Sequence, residues 1–174
     1  MTSPLSKLRA LAELVRVSNL PTVWMNVTTA AVLSSQAGQT DVSRVASFLG
    51  RSGVHVARVL HSGKLRAQET ALLLAEVISP GRLVEESAAP IGPNEATDKL
   101  IAFIESWPDA DTIGDIMVVG HLPFMSKMVS QLVGTEQDTV VVHFQPGTVV
   151  ALERGENRGG WTISWVMRPE LLGG

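Results

Sequence analysis

The sequence predicts an α/β sandwich in which helices pack on a mostly parallel sheet. Three observations predict it. Strand-like and helix-like segments alternate from Asp41 to Val133, the pattern of parallel strands joined by crossover helices. The helical segments gather their apolar residues on one face, as helices laid against a sheet must. Past Val133 the pattern turns to strand-like runs with a tight turn between the last two, which adds a closing hairpin.

Each element follows from its local pattern. Leu5, Leu8, Leu11, Leu14 and Val15 share one helical face, and Ser18-Asn19 and Pro21 break that helix. A second, weak helix is expected from Thr22, and Gln36-Ala37-Gly38-Gln39 reads as a turn. Val42, Val45, Ala46 and Leu49 recur at helical spacing, with Gly50 and Gly53 marking the stop. Val54 to Leu60 is rich in β-branched residues and reads as a strand. The turn Ser62-Gly63 leads to a helix over Leu65–Ile78, closed by Pro80-Gly81. Arg82 to Pro93 reads as irregular, and Asn94 to Trp107 as a helix capped by Asn94. Ile116 to Val119 is a short buried strand, Gly120 to Pro123 a loop, and Phe124 to Val133 a helix. Thr139–Phe144, Thr148–Glu153 and Trp161–Met167 read as strands, with Glu153 to Gly160 as the hairpin turn.

Composition removes several function classes. The 174 residues suit one domain and are enough to bury a core unaided. Hydrophobic residues at 45% against 18% charged describe a globular chain, not a disordered one. A net charge of -3 offers no general basic field for nucleic acid, and the lack of tyrosine weakens base stacking. The absence of cysteine excludes disulfides and thiolate chemistry. Leu20 to Leu33 is rather apolar but is interrupted by Pro21, Asn26, Thr28 and Thr29. It is shorter than the run of about 20 residues that a spanning helix needs. It also lacks the order of a signal peptide. A buried core helix and a cytoplasmic protein, with no membrane or nucleic-acid partner, are therefore expected.

Two constellations could carry chemistry. In His61-Ser62-Gly63-Lys64-Leu65-Arg66 a strand ends and a helix begins. Helix N-termini attract anions, and an arginine there can grip a phosphate with a bidentate fork. Taken alone, a solvated arginine on a first helical turn is the commoner outcome. In Val118-Val119-Gly120-His121-Leu122-Pro123 a histidine follows a buried strand, where open α/β sheets place ligands. It could donate to a phosphoryl oxygen or move a proton, although a lone loop histidine usually just bonds backbone. Both motifs fall at the same edge of a parallel sheet, which raises the weight of each.

These motifs resemble those of a known family. SGKLRAQETALLLAE (residues 62–76) is similar to the second arginine motif of the histidine phosphatases, and VVGHLPFMSKMVSQLVG (118–134) to their second histidine motif. GTVVALERG, WTISW and RPELL resemble the closing hairpin and tail of the SixA branch. Residues 33–70 follow that branch almost continuously, so the likeness runs from about Leu33 to Leu172. It implies a phosphoglycerate-mutase-like three-layer sandwich. It also implies phosphohistidine hydrolysis on a signalling protein, such as a phosphotransfer domain. A histidine attacks phosphorus, a phosphoenzyme forms, and water releases phosphate. By the same resemblance Arg66 binds the phosphoryl group, His121 is a catalytic residue that stabilises the transferring oxygens, and no metal or cofactor is required. Glu85 and Glu86 read as a solvated acidic turn, since the SixA branch does without a separate carboxylic acid donor.

One departure matters. The family opens with a strand ending in Arg-His-Gly, whose histidine is the nucleophile. This chain has no such tripeptide, and none of His55, His61, His121 and His143 lies near its start. Drift in place would make Leu14-Val15-Arg16-Val17-Ser18 the altered motif, keeping Arg16 as a phosphate ligand and putting valine where the nucleophile stood. Replacement is the other account: residues 8–34 resemble the first segment of UbiA-type membrane prenyltransferases, without the aspartate-rich motifs of that activity. The helical period of residues 5 to 17 favours replacement, giving an atypical helical segment over 1–33 before a phosphatase-like body over 34–174. A first strand that is missing or atypical should leave a gap, a substitute strand or a poorly ordered start, because unpaired buried backbone is costly. The expected function is a SixA-like phosphatase with a degenerate active site. A non-catalytic phosphoprotein-binding module and a membrane-associated fusion are the alternatives.

Overall fold

The computed structural model describes residues 22–27, 36–107, 114–136, 139–155 and 159–173, with backbone alone at 22–27 and 36–39. In chain order the elements are β1 (Thr22–Val27), α1 (Gln36–Arg51), β2 (Arg58–His61), α2 (Leu65–Ile78), β3 (Leu83–Glu86), α3 (Asp98–Glu105), β4 (Ile116–Gly120), α4 (Phe124–Leu132), β5 (Thr148–Arg154) and β6 (Trp161–Met167). A short 3-10 turn, Pro169–Leu172, comes after β6.

The strands form one six-stranded sheet in the order β3-β2-β4-β1-β5-β6. The pairs β3-β2, β2-β4 and β4-β1 are parallel, while β1-β5 and β5-β6 are antiparallel. The α/β sandwich expected from the sequence is therefore present, closed by its terminal hairpin. Every residue of β4 is buried. Alternate residues of a strand point to opposite faces, so β4 contributes to two separate cores. Ile116 and Val118 join a core with α3 and α4, through Leu100, Ile104, Phe124, Met128 and Val129. Met117 and Val119 join a second core with α1 and α2, through Val42, Val45, Leu49, Ala71, Leu74 and Ile78. Helices thus cover both faces of the sheet, which makes three layers.

The helix faces follow from spacing. Ala67, Thr70, Ala71, Leu74, Ala75 and Ile78 of α2 are buried at intervals of three and four. Burial of a side chain the size of Leu74 or Phe124 stabilises by about 1.5–3 kcal/mol. At Gly50, near the end of α1, an added Cβ would lie 2.5 Å from Val77 Cγ1, so glycine lets the two helices approach.

Several expectations are corrected. Thr22 starts a strand, not a helix. Val23 pairs with Ile116 on one side and with Leu152 on the other. The backbone hydrogen bonds of two neighbouring strands outweigh the weak helical spacing of this stretch. Gln36–Gln39 is the first turn of α1, not a free turn. β2 begins at Arg58, and Val54 and Val56 are buried ahead of it, with the Val56 N–H donating to Ile78 O. Within the segment read as irregular, Leu83–Glu86 pairs with β2 as an edge strand. The helix expected from Asn94 is shorter and begins after Thr97. Thr139–Phe144 forms no strand among its described residues, although Val142 and Phe144 are buried.

Thr22–Val27 lies between β4 and β5 near the centre of the sheet. Leu14–Ser18, the stretch that drift in place would make the altered motif, lies outside the described residues. Residues 5–17, Arg16 among them, lie outside the described residues.

Candidate functional site

Parallel strands bring their C-terminal ends to one edge, where α/β sheets hold ligands. In register, His61 of β2 lies beside Val119 of β4, and Gly120 lies beside Val27 of β1. The turns that leave β2 and β4 both start at this edge.

The first turn, Ser62-Gly63-Lys64, leads into α2. Gly63 has φ +75°, and a Cβ there would collide with the Glu86 carboxylate, so glycine is required on both counts. The Gly63 N–H donates to His61 Nδ1 at 3.1 Å. Burial holds the His61 imidazole below its ordinary pKa, an effect that the Glu86 carboxylate opposes in part. Glu86 is exposed but lies in a strand and not a turn: it ends β3 in register with His61, and its carboxylate lies against Gly63. Glu85, the other acidic residue of this stretch, lies 3.4 Å from Arg58 Nη1. Lys64 supplies no side-chain cap to α2, and Arg66 sits on the first turn of that helix.

The second turn leaves β4 at Gly120. A Cβ at Gly120 would lie 2.5 Å from Met125 Sδ and 2.8 Å from Ile91 Cγ2, so the chain passes close under α4. The carbonyl of the next residue, His121, accepts from the Met125 N–H at 3.0 Å and ties the histidine to the start of that helix. The His121 side chain is 2% exposed.

The two turns meet through side chains. Arg66 Nε donates to His121 Nδ1 at 3.1 Å, and His121 Nε2 lies 2.6 Å from Ser62 Oγ. A guanidinium has no acceptor, so His121 Nδ1 must carry a lone pair. The ring proton is then on Nε2, and His121 is neutral and donates to Ser62. This reverses the polarity of a serine–histidine nucleophile pair, in which the histidine accepts the hydroxyl proton and a carboxylate holds its other nitrogen. Ser62 is therefore not activated as a nucleophile while the Arg66 bond stands. Among the described residues Arg66 has no carboxylate ion-pair partner. With Nε on His121, its two terminal amino groups remain as a fork suited to an anion.

Arg66 and His121 are thus in contact, as their shared sheet edge suggested. Ser62 was not singled out by the sequence; the only signal for it was its place in the same turn. His55 and His143 are exposed, and His55 lies ahead of β2, at the opposite edge of the sheet. Among the described residues no group of three His, Asp or Glu side chains gathers as metal ligands, and no helix is long and apolar enough to cross a membrane.

Solved structures share this architecture. The protein histidine phosphatase SixA, determined with tungstate, superposes with a TM-score of 0.73 at 19% identity, covering 87% of this chain and 99% of that one. An Escherichia coli protein described as an alpha-ribazole-5'-P phosphatase gives 0.66 at 16% identity, over 85% of this chain and 96% of that one. A phosphoglycerate mutase of Plasmodium falciparum gives 0.56 at 14%, over 84% and 89%. No family model matches the sequence, and no curated protein sequence matches it. The chain has the fold of the histidine phosphatases and phosphoglycerate mutases.

Proposed function

We propose that this protein is a degenerate SixA-like phosphohistidine phosphatase. It binds the phosphoryl group of a phosphohistidine on a signalling protein, such as a phosphotransfer domain, and has lost the means to hydrolyse it efficiently. The observation that carries the reading is the contact between Arg66 and the buried His121 at the edge where parallel strands end. Arg66 offers a charged fork to the phosphoryl oxygens, and His121 offers a neutral N–H to another. Such charge-assisted donors are the strong ones.

The loss of turnover follows from the first strand. Hydrolysis in two steps needs an imidazole lone pair that attacks phosphorus as the P–N bond to the substrate histidine breaks. In this chain the central strand reads Thr22-Val23-Trp24-Met25-Asn26-Val27 and is followed by Thr28-Thr29. None of these residues is a histidine. His61 is no replacement, because its Nδ1 is engaged by the Gly63 N–H within its own turn.

The test measures phosphate release from a phosphohistidine-bearing domain, with the wild type and with His121→Ala. It also measures tungstate binding by calorimetry, tungstate being the oxyanion held in the SixA structure. Tungstate binding with negligible release supports the reading. Rapid release that His121→Ala abolishes would show that another residue has taken over as nucleophile, and the degenerate reading would fall.

A further inference from the structure

We infer that Ser62 competes with the bound oxyanion for His121, so that this serine sets the affinity of the site. The inference rests on the phosphoryl-binding reading above and adds a residue to it. A neutral imidazole has one N–H to give. The Arg66 bond to Nδ1 places that proton on Nε2, and Ser62 Oγ takes it at 2.6 Å. A phosphoryl oxygen that is to accept from His121 must therefore displace the serine oxygen.

The local structure makes this exchange cheap for the serine and leaves the histidine fixed. Ser62 is partly exposed, so its released hydroxyl can turn to water. It lies in the turn between β2 and the positive-φ Gly63, outside any helix or strand. His121, by contrast, is buried and anchored at the start of α4 through its own carbonyl. The serine gives way and the imidazole stays, with Arg66 holding its protonation.

This predicts a direction opposite to that of a purely structural serine. Ser62→Ala removes the competing acceptor and should bind tungstate more tightly, by about 2- to 10-fold, the worth of one neutral hydrogen bond. Ser62→Thr keeps the hydroxyl and should bind like the wild type. Nitrogen-15 spectra of the free wild type should show His121 protonated at Nε2 and unprotonated at Nδ1. Equal or weaker tungstate binding by Ser62→Ala overturns the inference and leaves the phosphoryl-binding reading standing. Absence of tungstate binding in both wild type and Ser62→Ala overturns both. Should Ser62→Ala fail to fold, the spectra decide, because a proton on Nδ1 would leave Nε2 without one to donate.

Discussion

β1 and β4 lie side by side at the centre of the sheet, and each is hydrogen-bonded on both flanks. They differ in what their ends deliver. β4 runs into Gly120-His121, where the glycine leaves room for Met125 and Ile91 and the histidine accepts from Arg66 Nε. β1 runs into Thr28-Thr29, which carry no imidazole. The sheet asks of a central strand only that its backbone pair and its residues suit a pleat. Catalysis asks for one particular side chain at one position. A segment can meet the first demand without the second, which is how the proposed reading keeps the fold while losing turnover.

Changes that erase or deepen this difference make it testable. The largest effect is expected from a gain. Arg-His-Gly is the motif whose absence the proposed function invokes, and Val27 ends β1 level with Gly120, so the triple variant Val27→Arg, Thr28→His, Thr29→Gly writes that motif at the end of the strand. On the proposed reading the wild type has next to no phosphohistidine hydrolysis, and the variant should gain it, with a phosphoenzyme trapped in rapid-quench assays. Failure of a well-folded triple variant to form that intermediate would mean that more than the motif has been lost. Next comes loss of the strand itself. Met25→Pro removes a backbone donor between Val118 and Val150 and should destabilise by about 3 kcal/mol or more, read as a lower urea midpoint. An unchanged midpoint would show that β1 contributes little to the sheet.

On the β2–β4 side, Arg66→Ala should weaken tungstate binding by about 10- to 100-fold, the range for hydrogen bonds to a charged group. Arg66→Lys should recover little of it, because an ammonium lacks the planar fork. The smallest effect belongs to His61. Its folded pKa is lowered from 6.5 by burial, so the unfolded chain binds the proton more readily than the native one. The stabilisation is complete above that value and is lost as pH falls through the folded pKa. Urea midpoints should therefore drop in mild acid for the wild type, and His61→Gln should flatten part of that slope.

The sequence made the local elements legible and the long-range ones much less so. α2 runs from Leu65 to Ile78 as read, because its buried positions repeat at helical spacing between a glycine turn and Pro80-Gly81. The meeting of Arg66 with His121 could be anticipated because strand ends in a parallel sheet share an edge. β1 could not be placed from its own residues, since its conformation depends on a slot flanked by β4 and β5, both far along the chain. β3 was missed because Leu-Val-Glu-Glu is short and lacks an apolar alternation, and it pairs on one side only. The reverse error fell on Thr139–Phe144, whose β-branched residues suit a strand but find no partner strand. Ser62 belongs to the same class as β1: its role is set by a histidine that only the folded sheet brings near.

The register of β1 also bears on how the chain folds. Val23 is made well before its partners Ile116 and Leu152, which lie far along the chain. Contacts of such large sequence separation carry a heavy loop-closure penalty and slow folding. Until both neighbours exist, the apolar stretch Thr22–Val27 has no ladder to join, and β4 and β5 have no centre strand between them. The step that completes the sheet is then the insertion of this segment, and the waiting edges of β4 and β5 are the surfaces most open to pairing with another chain.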